Sequence, residues 1–97
     1  MNPTENTVPA LTVGSKVRVV KGCNARRVTK GATVIIKAIE PLGADYGHQV
    51  KVTLWFQNSF LAGKTLSFYV RHANRISDVI VGMNDGRPEH RIEVCRV

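Results

Sequence analysis

Between Gln49 and Gln57 the chain alternates without a break, with Val50, Val52, Leu54 and Phe56 on one side and Lys51, Thr53, Trp55 and Gln57 on the other. A repeat of two residues sends successive side chains to opposite faces of a pleated strand. Thr65–Arg71 repeats the pattern: Leu66, Phe68 and Val70 point one way, Ser67, Tyr69 and Arg71 the other. The two segments are read as an antiparallel hairpin closed by a loop at residues 58–63. Helical spacing is almost absent, so this chain has to bury its apolar residues with sheets.

Other segments fit the same plan. Lys16–Lys21 is read as the first strand, with Val17 and Val19 inward and Lys16 and Arg18 outward. A loop bounded by Gly22 and Gly31 leads to a second strand over 32–39, rich in β-branched residues at Thr33-Val34-Ile35-Ile36. Two more strands are expected near 78–83 and 90–96, separated by the turn formers Asn84-Asp85-Gly86-Arg87-Pro88. His72–Ile76 is too short for a stable α-helix and is read as one 3₁₀ turn. The length of 97 residues, with 43% hydrophobic and 22% charged residues, bounds the chain to one folded domain over 14–97 after a flexible N-terminal segment, 1–13.

Many short strands in so small a chain predict an all-β fold, a small barrel or sandwich that hides its edges by curling the sheet on itself. The order of elements resembles a small SH3-like barrel of five to six antiparallel strands with a short 3₁₀ turn. The alternative is an OB-fold, which places a helix between its third and fourth strands. Gly14-Ser15-Lys16-Val17-Arg18-Val19-Val20-Lys21-Gly22, followed by Gly31-Ala32-Thr33-Val34, is similar to a KOW motif over about residues 14–40. The eight residues between Gly22 and Gly31 make a longer connection than a KOW loop, which carries a further internal glycine. KOW modules bind RNA or proteins in ribosomal proteins and transcription elongation factors, so the resemblance implies a binding role of that kind.

Charge is unevenly spread along this framework. Residues 6–39 hold Lys16, Arg18, Lys21, Arg26, Arg27, Lys30 and Lys37 and no acid; with 14 Lys and Arg against 7 Asp and Glu overall, this stretch accounts for the whole net charge of +7. Positive charge so confined points to an anionic partner. Lys16, Arg18 and Lys37 are expected on one outer face, with Arg26, Arg27 and Lys30 at its loop end. Such a stripe binds phosphates by releasing counterions, with steep salt dependence and little sequence preference. The competing reading is an ordinary solvated basic face.

Two aromatics sharpen the expectation. Trp55 and Tyr69 take outward positions on the hairpin, with Lys51 and Arg71 on the same side, an arrangement that stacks unpaired bases while cations hold the backbone. Alternatively Trp55 is covered by the N-terminal segment or the last strand. Phe60-Leu61, at the hairpin tip, either meets a partner or folds back to cap one end of the core.

Catalytic chemistry has no comparable signature. His48, His72 and His90 lack paired spacing, Cys23 and Cys95 form no C-x-x-C pair, and no phosphate-cradling loop occurs. Cys23 sits in a basic loop that can lower a thiol pKa, but no partner for nucleophilic chemistry accompanies it. The expectation is a non-enzyme without cofactor or metal. The polar start, Met1–Thr7, lacks a signal-peptide pattern, and apolar runs such as Val79-Ile80-Val81 are far too short to span a membrane. A cytoplasmic protein with reduced thiols is expected. The sequence therefore predicts a non-catalytic module that binds nucleic acid, RNA or single-stranded DNA, through Lys16, Arg18, Lys21, Arg26, Arg27, Lys30, Lys37, Lys51, Trp55, Tyr69 and Arg71. The alternative is a protein-interaction module docking on an acidic partner such as a polymerase, nuclease or ribosomal component.

Overall fold

The alternating segments become strands close to where their periodicity places them. The computed structural model describes residues 12–43, 45, 49–71 (Arg71 by its backbone alone) and 81–97. Its strands are β1 (Lys16–Lys21), β2 (Thr33–Pro41), β3 (Gln49–Phe56), β4 (Thr65–Arg71), β5 (Val81–Met83) and β6 (Ile92–Arg96). β2 runs two residues past its expected end. β6 starts later than expected because Pro88–His90 forms a 3₁₀ turn, with proline in the first turn, where its missing N–H costs nothing. Residues 78–80, the 3₁₀ turn expected at 72–76 and the first 11 residues lie outside the described residues.

All six strands join one antiparallel sheet in the order β4-β3-β2-β1-β6-β5. Helical structure among the described residues is limited to 3₁₀ turns, and one of these, Ser59–Leu61, lies between β3 and β4. No α-helix stands there, where the OB alternative requires one.

A lone sheet hides one face only by curling on itself. Here the inward residues of every strand form a single cluster, from Val17 and Val19 on β1 to Ile92 and Val94 on β6. Phe56, Phe68, Leu54 and Ile36 are completely buried in it. Two bulges supply bend and twist: the β1–β6 register shifts between Val19 and Lys21, and the β2–β3 register between Ile36 and Ala38. The outer edges then meet at one isolated bridge. Tyr69 of β4 donates its N–H to the Asn84 carbonyl at 2.6 Å, and Asn84 donates to the Tyr69 carbonyl at 3.3 Å. The ladder does not continue around this seam, so the sheet is curled but not closed.

The connection from β1 to β2 is packed rather than loose. Cys23 and Val28 exchange backbone hydrogen bonds of 2.8 and 3.0 Å, closing a tight loop in which Arg27 takes a left-handed φ of 60°. Cys23, Val28 and Ala32 are buried. This fold-back brings the Val28 carbonyl against Gly22, where an added Cβ would lie 2.1 Å from the carbonyl oxygen.

Gly22→Ala is therefore expected to destabilise the protein by about 1–3 kcal/mol or more, the cost of overpacking a rigid contact. Gly82→Ala meets only the Arg91 guanidinium, a flexible side-chain end, and should cost less. Urea denaturation midpoints of the two variants check this; equal losses would contradict it.

Candidate nucleic-acid interface

The strand register decides which of the basic and aromatic residues are neighbours. Lys16 of β1 is paired across the strands with Ile35 of β2, Ile35 with Trp55 of β3, and Trp55 with Thr65 of β4. These four residues form one row over the outer face. Arg18 stands two residues along β1, opposite Thr33, and both Lys16 and Arg18 are exposed. Lys37 occupies the bulge of β2, and its Nζ lies over the Trp55 ring, 5.6 Å from the centroid. At an exposed position such a cation–π contact is worth about 0.5–1 kcal/mol. Trp55 is half-buried. The last strand does not flank it, since β6 lies on the far side of β1.

Tyr69 and Lys51 form a separate row. They are direct cross-strand partners, and Lys51 has Glu40 on its other side. The row between, Thr53 and Ser67, is joined by a hydroxyl contact of 3.3 Å. Tyr69 lies four positions along β4 from the partner of Trp55, roughly 13 Å at strand rise, so the two aromatics are not one continuous platform. Arg71 pairs with Gln49 by its backbone at the end of this ladder.

Arg26 leaves the basic stripe altogether. Its guanidinium pairs with the Asp85 carboxylate and lies over the buried Phe68 ring, 5.7 Å from the centroid. Asp85 also accepts from His90 Nδ1 at 2.9 Å and from the Arg87 N–H at 3.3 Å. The His90 hydrogen bond does most to hold the Asp85 carboxyl down at about 2; burial opposes it, and Arg26, the Arg87 amide and the His90 charge act with it. The Cys23 thiol donates to the Glu89 carbonyl at 3.7 Å. Both bonds tie the β1–β2 loop to the β5–β6 loop. The sequence reading missed this cluster. Its local part was legible, since Asn84-Asp85-Gly86 is turn chemistry, but nothing in the sequence couples Asp85 to Arg26, 59 positions away.

The remaining cations of the segment, Lys21, Arg27 and Lys30, are exposed. Lys21 faces Glu93 across the strands. Arg27 and Lys30 sit in the β1–β2 loop, at the end of the sheet where the β3–β4 and β5–β6 loops also lie. The tip residues Phe60 and Leu61 divide between the two expected roles: Leu61 turns into the core at 8% exposure, and Phe60 remains 74% exposed. Cys23 and Cys95 are both free thiols. No group of three or more potential metal ligands occurs among the described residues, and no described helix is long and apolar enough to cross a membrane. In comparisons with known proteins, no family model, no curated protein and no solved structure matches the chain.

The Asp85 cluster sets an acid limit on stability. Its carboxyl titrates at about 2 in the folded chain against an ordinary 3.8, so its contribution is fully present above about pH 4 and is lost as pH falls through about 2. Asp85→Asn should be less stable than the parent at pH 7, with the gap closing between pH 4 and pH 2. Urea midpoints across that range check it; a gap that does not change with pH would contradict it.

Proposed function

We propose that this protein is a small SH3-like β-barrel of the cytoplasm that binds single-stranded nucleic acid, RNA or DNA, without catalysing a reaction. The observation that carries the reading is the outer row Lys16–Ile35–Trp55 with the Lys37 ammonium poised over the indole. Support for the barrel comes from the strand order, in which β6 returns to pair with β1, and from the bridge joining the two edges. The fold-back between Gly22 and Gly31 supports a KOW-like strand-turn-strand unit. Two free thiols fit a reducing compartment.

In this reading a base lies on Trp55, displacing the Lys37 ammonium onto the neighbouring phosphate. Stacking of this kind contributes about 1–3 kcal/mol per base. Lys16 and Arg18 hold the backbone on one side of the ring, and Lys21, Arg27 and Lys30 extend the positive field toward the loop end. Tyr69, Lys51 and Arg71 serve a second, weaker stretch farther along the hairpin, where Glu40 offsets part of the charge. Arg26 is excluded from phosphate binding because Asp85 and Phe68 already engage it.

The test uses Trp55, the sole tryptophan, as its own reporter. A single-stranded oligonucleotide should change its fluorescence, with affinity falling steeply as salt rises. Lys16→Gln/Lys37→Gln should keep the fold and lower the slope of log affinity against log salt by about 1.4, at about 0.7 per phosphate contact on single strands. Salt-independent binding, or an unchanged slope in the double variant, would refute the assignment.

A further inference from the structure

We propose that Phe60 is a second stacking platform, so that a single strand bound at Trp55 continues over the hairpin end and lays a further base on Phe60, near Lys64 in sequence and at the loop end of the sheet that also carries Arg27 and Lys30. The inference rests on the nucleic-acid reading of the neighbouring face and extends it to residues outside the basic segment.

Phe60 is not a side chain left out by a loose loop. Phe56 and Lys64 are joined by a backbone hydrogen bond of 2.9 Å, the Gly63 N–H reaches the Phe56 carbonyl at 2.8 Å, and the Lys64 N–H reaches Leu61 at 2.8 Å. The loop is also fastened to β2: the Gln57 N–H donates to the Thr33 carbonyl, and the Thr33 N–H donates to Asn58 Oδ1, both at 2.9 Å. Ser59 holds a φ of 70°, a left-handed conformation uncommon for a non-glycine residue. The turn it starts carries Leu61 into the core and leaves Phe60 74% exposed. A large ring is thus presented to solvent on a fixed backbone.

Its surroundings select the ligand. No Asp or Glu occurs anywhere from Gln49 to Arg71 or from Gly22 to Ala32, the segment that leads directly into Thr33, to which the hairpin loop is fastened. The two segments contribute Lys64, Arg27 and Lys30, all exposed. Asp85, in the third loop of this end, is already engaged by Arg26 and His90. The other large hydrophobics exposed among the described residues, Val13 and Val97, precede β1 and follow β6 at the opposite end of the sheet. A protein interface needs a contiguous apolar centre, which one isolated ring does not provide. A nucleotide needs one flat apolar face with cations beside it.

The experiment compares Phe60→Ala, Phe60→Leu and Phe60→Trp with the parent chain, using oligothymidylate, oligouridylate, a blunt DNA duplex and polyglutamate at one salt concentration. Phe60→Ala should weaken single-strand binding roughly five- to a hundredfold, the range expected for one lost stacked base. Its salt slope should match the parent's, because no charge is removed. Phe60→Trp should restore affinity, Phe60→Leu should not, and duplex binding should be unaffected. Unchanged single-strand affinity in Phe60→Ala, full rescue by leucine, or a loss confined to polyglutamate binding would overturn the assignment while leaving the Trp55 site standing. Failure of the parent chain to bind either oligonucleotide would overturn both.

Discussion

Phe68 stands on an edge strand and is nonetheless completely buried. A ring in that position stays dry only if something covers it from beyond the edge. Two contacts do so: the Tyr69–Asn84 bridge draws the far edge of the sheet alongside β4, and the Arg26 guanidinium lies over the ring while holding Asp85, the residue that follows the bridge. Both charged groups give up water to meet, which offsets much of their attraction. What they contribute is position: they hold the far edge of the sheet and the β1–β2 loop against the side of the core where Phe68 lies.

The seam also explains why the acid-free stretch does not act as one surface. Its most central arginine serves the interior, and the rest is divided by the pleat. Lys16 and Arg18 rise from β1 onto the outer face, and Lys37 joins them because a bulge places an extra residue on β2 opposite the Trp55 hairpin. Arg27 and Lys30 are carried to the loop end by a fold-back closed at Cys23 and Val28. A charge pattern that looks uniform in one dimension thus becomes a structural clamp, a cationic frame around an indole, and a positive rim.

The parts legible in the sequence are those with local causes. Period-two alternation identified β1, β3 and β4 with almost no error, because side-chain direction in a strand is fixed by the residue's own backbone. The register across Lys16, Ile35 and Trp55 was not legible, since alternation fixes the face of each strand's side chains but not which residue of the next strand stands opposite. The turn at Asn84–Pro88 was legible from its residues, but the strand after it was expected from His90 and begins at Ile92, because the 3₁₀ turn Pro88–His90 runs past the proline. The Phe60-Leu61 tip was legible as two open readings, which the Ser59 turn divides between the two residues. The Arg26–Asp85–His90 cluster was beyond reach, because it is decided by which loops the curled sheet brings together, a consequence of topology and not of any window of residues.

The position of β1 carries a consequence for the order in which the chain comes into being. It pairs on one side with β2, made directly after it, and on the other with β6, made last among the described strands. During synthesis its second edge waits, with hydrogen-bonding groups bare, while most of the protein is still being assembled. Bare edges recruit other nascent chains unless charge keeps them apart. Lys16, Arg18 and Lys21, read at first for what they attract, stand beside that waiting edge as the groups best placed to repel another copy until its own partner arrives.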